Sequence, residues 1–329
     1  MTEEFEPLFD IVGFGRIAPS LRRPLSLTQI QQVARTVGRT PEVMVKVVNR
    51  SAHSLSGVRR HLDYIGRKGD VELETDDGDK LRDSQVGSGL IEDWNLDLVR
   101  ERGKVNLTAN KPKEPPRLVY KLVFSMPAGT PPAKVQVAVR NFAREEFALK
   151  HRYAMALHTD GPHPHVHLVL KATSEEGQRL YLRKATLREW RAGFARHLRA
   201  IGVAANATPR SVRGVTTPRK LDGIYRASKR GESTHIQERV KAVARELNQG
   251  KLQIEAGKER LLRTREAVRS GWLRVIDSLY FEGHSEVAAE VTRFVEQMPS
   301  ARSEKEYIAA RLLTPRSRDP KRADLDLVR

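Results

Sequence analysis

Between Val43 and Ile201 the spacing of apolar residues switches repeatedly between two and about 3.6, as in a mixture of strands and helices. Val43-Met-Val-Lys-Val-Val48 is β-rich, and a Ser-rich turn leads from it into a helix from about Ser54 to Ile65. On that helix Leu55, Val58, Leu62 and Ile65 form one apolar stripe. Val71–Thr75 alternates as a half-buried strand does, an Asp/Gly-rich turn covers 76–79, and a helix is expected around 82–101. Lys111–Arg117, with its prolines, reads as a linker. Leu118–Ser125 is the longest strand signal, followed by a turn over Pro127–Pro132 and an amphipathic helix over Val135–Leu149. Tyr153–His158 and His165–Lys171 read as two strands joined through the Gly161-Pro162 turn. Ala185–Ile201 is a helix with Leu187, Trp190, Phe194 and Leu198 on one face.

A tight hairpin requires antiparallel pairing, and there is no strict βαβ alternation. The expected fold is therefore α+β, a central antiparallel sheet with flanking helices over residues 42–205. Residues 1–41 read as an N-terminal arm with one short helix, capped by Ser26, carrying Ile30 and Val33, and stopped by Gly38. Residues 206–329 read as a basic linker followed by a mainly helical C-terminal region.

Charge narrows the function. With 59 Lys+Arg against 41 Asp+Glu the chain carries +18, an excess that points to a polyanion, nucleic acid first. There is no Cys, which excludes disulfides, thiolate nucleophiles and Cys-ligated zinc. Any metal must be held by His and carboxylates. No stretch approaches the roughly 18 uncharged apolar residues of a membrane span. The acidic start MTEEFEPLFD lacks the layout of a secretory signal, so a cytoplasmic protein without membrane insertion is expected.

Four of the ten histidines fall in His158-Thr-Asp-Gly-Pro-His-Pro-His165-Val-His167. The strand period of two puts His165 and His167 on one face and Val166, Leu168 and Leu170 on the other. His158 shares a face with Ala154 and Ala156, whose small side chains would leave room for a ligand or substrate. Three imidazoles converging from adjacent antiparallel strands make an open site for a divalent cation, with Mg²⁺ or Mn²⁺ expected and Zn²⁺ the other option. Asp160, in the turn, is a candidate to accept the second ring N–H of a ligand histidine. His163, set apart by Pro164, is a candidate DNA-phosphate contact.

This run resembles the third motif of the HUH endonucleases, specifically the P-type (MobP) conjugative relaxases. His61-Leu-Asp-Tyr64-Ile-Gly-Arg-Lys-Gly-Asp-Val-Glu-Leu73 resembles their early Tyr motif, and Val123-Phe-Ser125-Met-Pro127-Ala-Gly129 their second. The three motifs stand in the family's order over about 45–172. The resemblance implies an HUH palm, similar to an RRM sheet, with Tyr64 as nucleophile and His158, His165 and His167 as metal ligands. Periodicity agrees, since Tyr64 projects about 140° from the apolar stripe of its helix. A phenol is a poor nucleophile at neutral pH until a base or nearby cation assists it.

The implied activity is nicking of one strand at an origin of transfer, leaving a 5′-phosphotyrosyl link. Arg67, Lys68 and Ser125 are candidate DNA contacts. So are Arg210 and Arg213, at the head of a cationic segment that continues through Arg219, Lys220, Arg226, Lys229 and Arg230. The implied partners are single-stranded or supercoiled origin DNA, relaxosome accessory proteins and a type IV secretion coupling protein. The alternatives are a rolling-circle initiator or transposase of the same class, in which Tyr generally follows the histidines, and a non-catalytic metal-containing DNA-binding protein.

Overall fold

The structure, a computed structural model, describes residues 24–48, 53–98, 117–216, 230 and 233–314. The prolines of the 111–117 linker and the tail 315–329 lie outside the described residues. Two compact units are present, residues 39–207 and residues 1–38 with 208–329.

The first unit is α+β, as expected. Its strands are β1 (Met44–Val48), β2 (Leu73–Thr75), β3 (Lys80–Leu81), β4 (Val119–Ser125), β5 (Tyr153–His158) and β6 (His165–Lys171). They form one antiparallel sheet in the order β1-β4-β6-β5-β2-β3. The two-residue β3 has no alternation of its own, which is why the helix expected from about 82 begins only at Val86. The helix after β4 starts earlier than its apolar pattern, at Pro132, because proline suits the first helical turn.

In the second unit, α1 (Leu27–Val37) begins with a capping box between Ser26 and Gln29. Its Val33 is buried with Val212, Trp272 and Val291. The helix expected in the N-terminal arm is thus part of a helical core. Four further helices make up the rest of the described C-terminal region, and none of the described helices is long and apolar enough to cross a membrane.

Each face of the sheet has its own core. Helices α4 (Pro132–Phe147) and α5 (Lys184–Ala200) cover one, where Phe124, Val166, Leu168 and Leu170 meet Phe142, Trp190 and Phe194. Helices α2 (Leu55–Ile65) and α3 (Val86–Asp93) cover the other. There the α2 stripe, Val58, Leu62 and Ile65, is buried against Leu73, Ala154, Ala156 and Val169. Each such side chain contributes roughly 1.5–3 kcal/mol when fully buried. The room left by Ala154 and Ala156 is therefore taken by the α2 helix, a correction to the expectation that it would hold a ligand.

Helix α3 approaches α2 at Gly87, whose N–H donates to the Asp63 carboxylate at 3.1 Å. A Cβ at Gly87 would lie 2.7 Å from the Arg59 carbonyl oxygen and 2.5 Å from Asp63 Oδ1. Gly87→Ala should therefore destabilise the unit by about 1–3 kcal/mol. Gly89→Ala, on the exposed side of the same helix with nothing within 4 Å, should stabilise it by up to about 1 kcal/mol. Thermal melts of the two variants read the contrast.

Candidate active site

The pairing of β5 with β6 sets His158 directly opposite His165, and Ala156 opposite His167. All three histidines therefore rise from the α2 side of the sheet. One ring nitrogen from each lies within 4.8 Å of the others. The ring centroids are 4.6 Å apart for His158–His167, 5.4 Å for His158–His165 and 5.2 Å for His165–His167.

Hydrogen bonds decide which nitrogens are free. His158 Nε2 lies 2.8 Å from the Ile65 carbonyl, and His165 Nδ1 lies 3.0 Å from the His163 carbonyl. A carbonyl only accepts, so those nitrogens carry the protons, and His158 Nδ1 and His165 Nε2 keep their lone pairs. His158 Nδ1 and His167 Nδ1 are buried without a hydrogen-bond partner. Orphaned buried lone pairs are costly, and a shared cation would satisfy them, so this donor set fits a divalent metal. Burial holds His158 below the usual imidazole range, and burial with the nearby His158, His165 and His61 pushes His167 down to about 3. Both are kept neutral, the form that ligates a cation.

Asp160 is placed differently from the sequence expectation. Its carboxylate pairs with the Arg67 guanidinium, and carbonyls of Ile65 and His163 take the histidine N–H groups. The Ile65 oxygen lies in the last turn of α2, where helix carbonyls lack intrahelical partners.

Helix α2 brings Tyr64 to the histidines. Ser54 Oγ caps its start by accepting from Gly57 N–H at 3.1 Å, and the buried stripe fixes its rotation. Tyr64 then faces outward, 53% exposed, with its ring centroid 6.2 Å from His167 and 6.3 Å from His158. Ser125 is opposite His165 across the β4–β6 pair and is buried, its hydroxyl donating to the Met126 carbonyl at 3.4 Å. His163 is exposed in the hairpin turn. Arg67 and Lys68 follow Tyr64 in left-handed backbone, φ 50° and 55°, which costs a non-glycine residue about 1–2 kcal/mol each. Arg210 and Arg213 are in the helical unit, both half-buried, and Arg213 Nε donates to the Thr208 carbonyl at 3.2 Å. Arg219, Lys220, Arg226 and Lys229 lie outside the described residues.

Two residues of the site were missed from sequence. His61, three residues before Tyr64 and so on its side of α2, stacks on the Tyr64 ring at 6.1 Å and meets His167 edge-on at 6.0 Å. Burial, with Lys121 and His158 nearby, pushes His61 down to about 4. Lys121, in the middle of β4, is 3% exposed, and its Nζ donates to the Gly57 carbonyl at 3.1 Å. A lysine inside an otherwise apolar strand was the available signal.

With this geometry in place, the fold and site define a class: an antiparallel palm carrying three converging imidazoles that could hold a metal ion. Residues 75–202 match the family model for relaxases, described as MobA/VirD2-like, nuclease domain. Over that segment the chain is similar to the nuclease domain of MobA/VirD2-like relaxases. The chain is 25% identical over 206 residues to the T-DNA border endonuclease VirD2 of Agrobacterium fabrum, covering 59% of this chain and 46% of that protein. To the T-DNA border endonuclease VirD2 of Rhizobium rhizogenes it is 27% identical over 135 residues, covering 39% of this chain and 30% of the relative. The chain thus spans less than half the length of these curated relatives. A solved chain from work described as "Molecular Basis of Vancomycin Resistance Transfer in Staphylococcus aureus" aligns at 13% identity with a TM-score of 0.31, over 51% of this chain and 98% of that one.

Burial, with Arg60 nearby, pushes Lys121 down to about 8, against an ordinary value of 10.5. Below pH 8 the folded state carries the full cost of a buried ammonium. Between pH 8 and 10.5 the unfolded chain binds more protons than the folded one, so stability rises with pH by up to about 3 kcal/mol from this group. Denaturant melts across that window should show a rise in the parent that is absent in Lys121→Met.

Proposed function

We propose that this chain is a site- and strand-specific DNA relaxase that nicks an origin of transfer by transesterification at Tyr64. The observation that carries this reading is the closeness of one outward-facing phenol to three converging imidazoles, two of them kept neutral by burial. Tyr64 Oη attacks the scissile phosphorus. The Oη–P bond forms as the P–O3′ bond breaks, the phenolic proton passes to solvent or a nearby base, and the departing oxygen takes up a proton as a free 3′-hydroxyl. One phosphodiester replaces another, so attack by the 3′-hydroxyl reverses the step without ATP.

His158, His165 and His167 would hold a divalent cation, Mg²⁺ or Mn²⁺ before Zn²⁺. Bound there, it supplies polarisation of the scissile phosphate and offsets charge building on its oxygens. The chain's own contribution is orientation. The Ile65 and His163 carbonyls fix two imidazole tautomers, and the α2 stripe aims Tyr64 at the same place. Ser125, Lys68 and His163 border this region and are proposed to hold DNA backbone, as are Arg210 and Arg213 in the basic stretch that follows. The proposed partners are origin DNA, relaxosome accessory proteins and a type IV secretion coupling protein. The proposed location is the cytoplasm, with passage to a recipient alongside the DNA.

The test is incubation of the full chain with labelled single-stranded origin DNA. The parent should form a covalent adduct mapping to Tyr64, lost on chelation and restored by divalent metal. Tyr64→Phe should bind the oligonucleotide but form no adduct, and unchanged nicking would overturn the assignment. Removing two ligands (His165→Ala with His167→Ala) should cost several kcal/mol of transition-state stabilisation, about a hundredfold or more in rate.

A further inference from the structure

The turn that follows Tyr64 is unusual. Arg67, Lys68 and Gly69 all have positive φ, at 50°, 55° and 101°, although only the last is glycine. Non-glycine residues remain in this region where their surroundings over-determine them. Here the surroundings engage Arg67 twice. Its guanidinium carbon sits 5.2 Å from the centroid of the Tyr64 ring, within cation–π range. The same guanidinium pairs with Asp160 in the turn between β5 and β6. One side chain thus joins the nucleophile's ring to the hairpin that carries the three histidines.

We infer that Arg67 is a positioning residue for Tyr64, with Asp160 as its anchor, and that its main task is to hold the phenol in place. An ion pair between partly exposed groups is weak by itself. Its consequence is geometric: it restricts where the guanidinium can swing, and a planar guanidinium can face a ring while donating in its own plane to a carboxylate. Lysine, a compact charge on a flexible stem, cannot do both. The left-handed backbone at Arg67 and Lys68 turns the chain back sharply enough for a residue three positions after Tyr64 to reach over its ring. Without that clamp a tyrosine 53% exposed at a helix end would sample several rotamers.

The inference rests on the relaxase reading for its kinetic consequence, and it also has a consequence that does not require nicking. The full chain labelled with 3-fluorotyrosine gives one ¹⁹F signal for each of the seven tyrosines, and Tyr64→Phe identifies the one at position 64. In DNA-free protein, Arg67→Lys should shift and narrow that signal as the ring loses its fixed neighbour. Asp160→Asn, an exposed change that keeps the fold, should move it in the same direction by less. In single-turnover nicking at saturating oligonucleotide, Arg67→Lys should slow the cleavage step about ten- to a hundredfold, the scale of a misplaced reacting group. Oligonucleotide affinity should change little, and adding Asp160→Asn should slow the step no further. An unmoved ¹⁹F signal in both variants overturns the inference. So does a defect that saturating DNA restores in full, which would make Arg67 a simple DNA contact. A chain that never nicks refutes the relaxase reading, while the ¹⁹F signal still decides the role of Arg67.

Discussion

The candidate site depends on one packing contact, the seating of the α2 apolar stripe on Ala154, Ala156 and Val169. Val58, Leu62 and Ile65 are fully buried there, and two alanines on β5 let the helix come close. A larger side chain at either alanine would lift the helix from the sheet. The same contact sets the rotation of α2, so Tyr64, roughly opposite the stripe, emerges over the histidines. It also delivers the Ile65 carbonyl to His158. Helix packing, the placement of Tyr64 and an imidazole tautomer are thus consequences of a single interface.

Electrostatics work against stability in the same place. His61, His158 and His167 are all driven toward the neutral form by burial, and Lys121 is buried at the centre of β4. The opposite face shows how this sheet treats a charge with a purely structural role. There Glu74 is closed off by two hydrogen bonds from Arg140. The imidazoles on the α2 side keep unpartnered nitrogens instead. That contrast marks a face arranged to bind something, in keeping with the tendency of perturbed groups to gather at functional sites.

The helical unit has a different construction. Its core gathers around Trp272, whose indole N–H donates to the Val212 carbonyl at 2.9 Å, and it includes α1 from the start of the chain. Two stretches separated by the whole of the 39–207 unit therefore share one core. Composition alone made the first of them an arm and the second a region of its own.

Much of the α+β unit was legible from residue spacing. The bounds of β5 and β6 and the shared face of His165 and His167 follow from strand period, and the outward direction of Tyr64 follows from helix period. These are properties of neighbouring residues on one backbone, which local geometry dictates. The strand order, the use of Ala154 and Ala156 as a helix seat, and the roles of His61 and Lys121 were not legible. Nor was the exchange by which Asp160 takes Arg67 while backbone carbonyls orient the histidines. Each of these joins segments far apart in the chain, and only packing chooses among the partners that spacing allows. The sequence by itself determined how His165, His167 and Tyr64 face along their own strand and helix. Tertiary structure decided what holds them in register, because that rests on contacts no local period encodes.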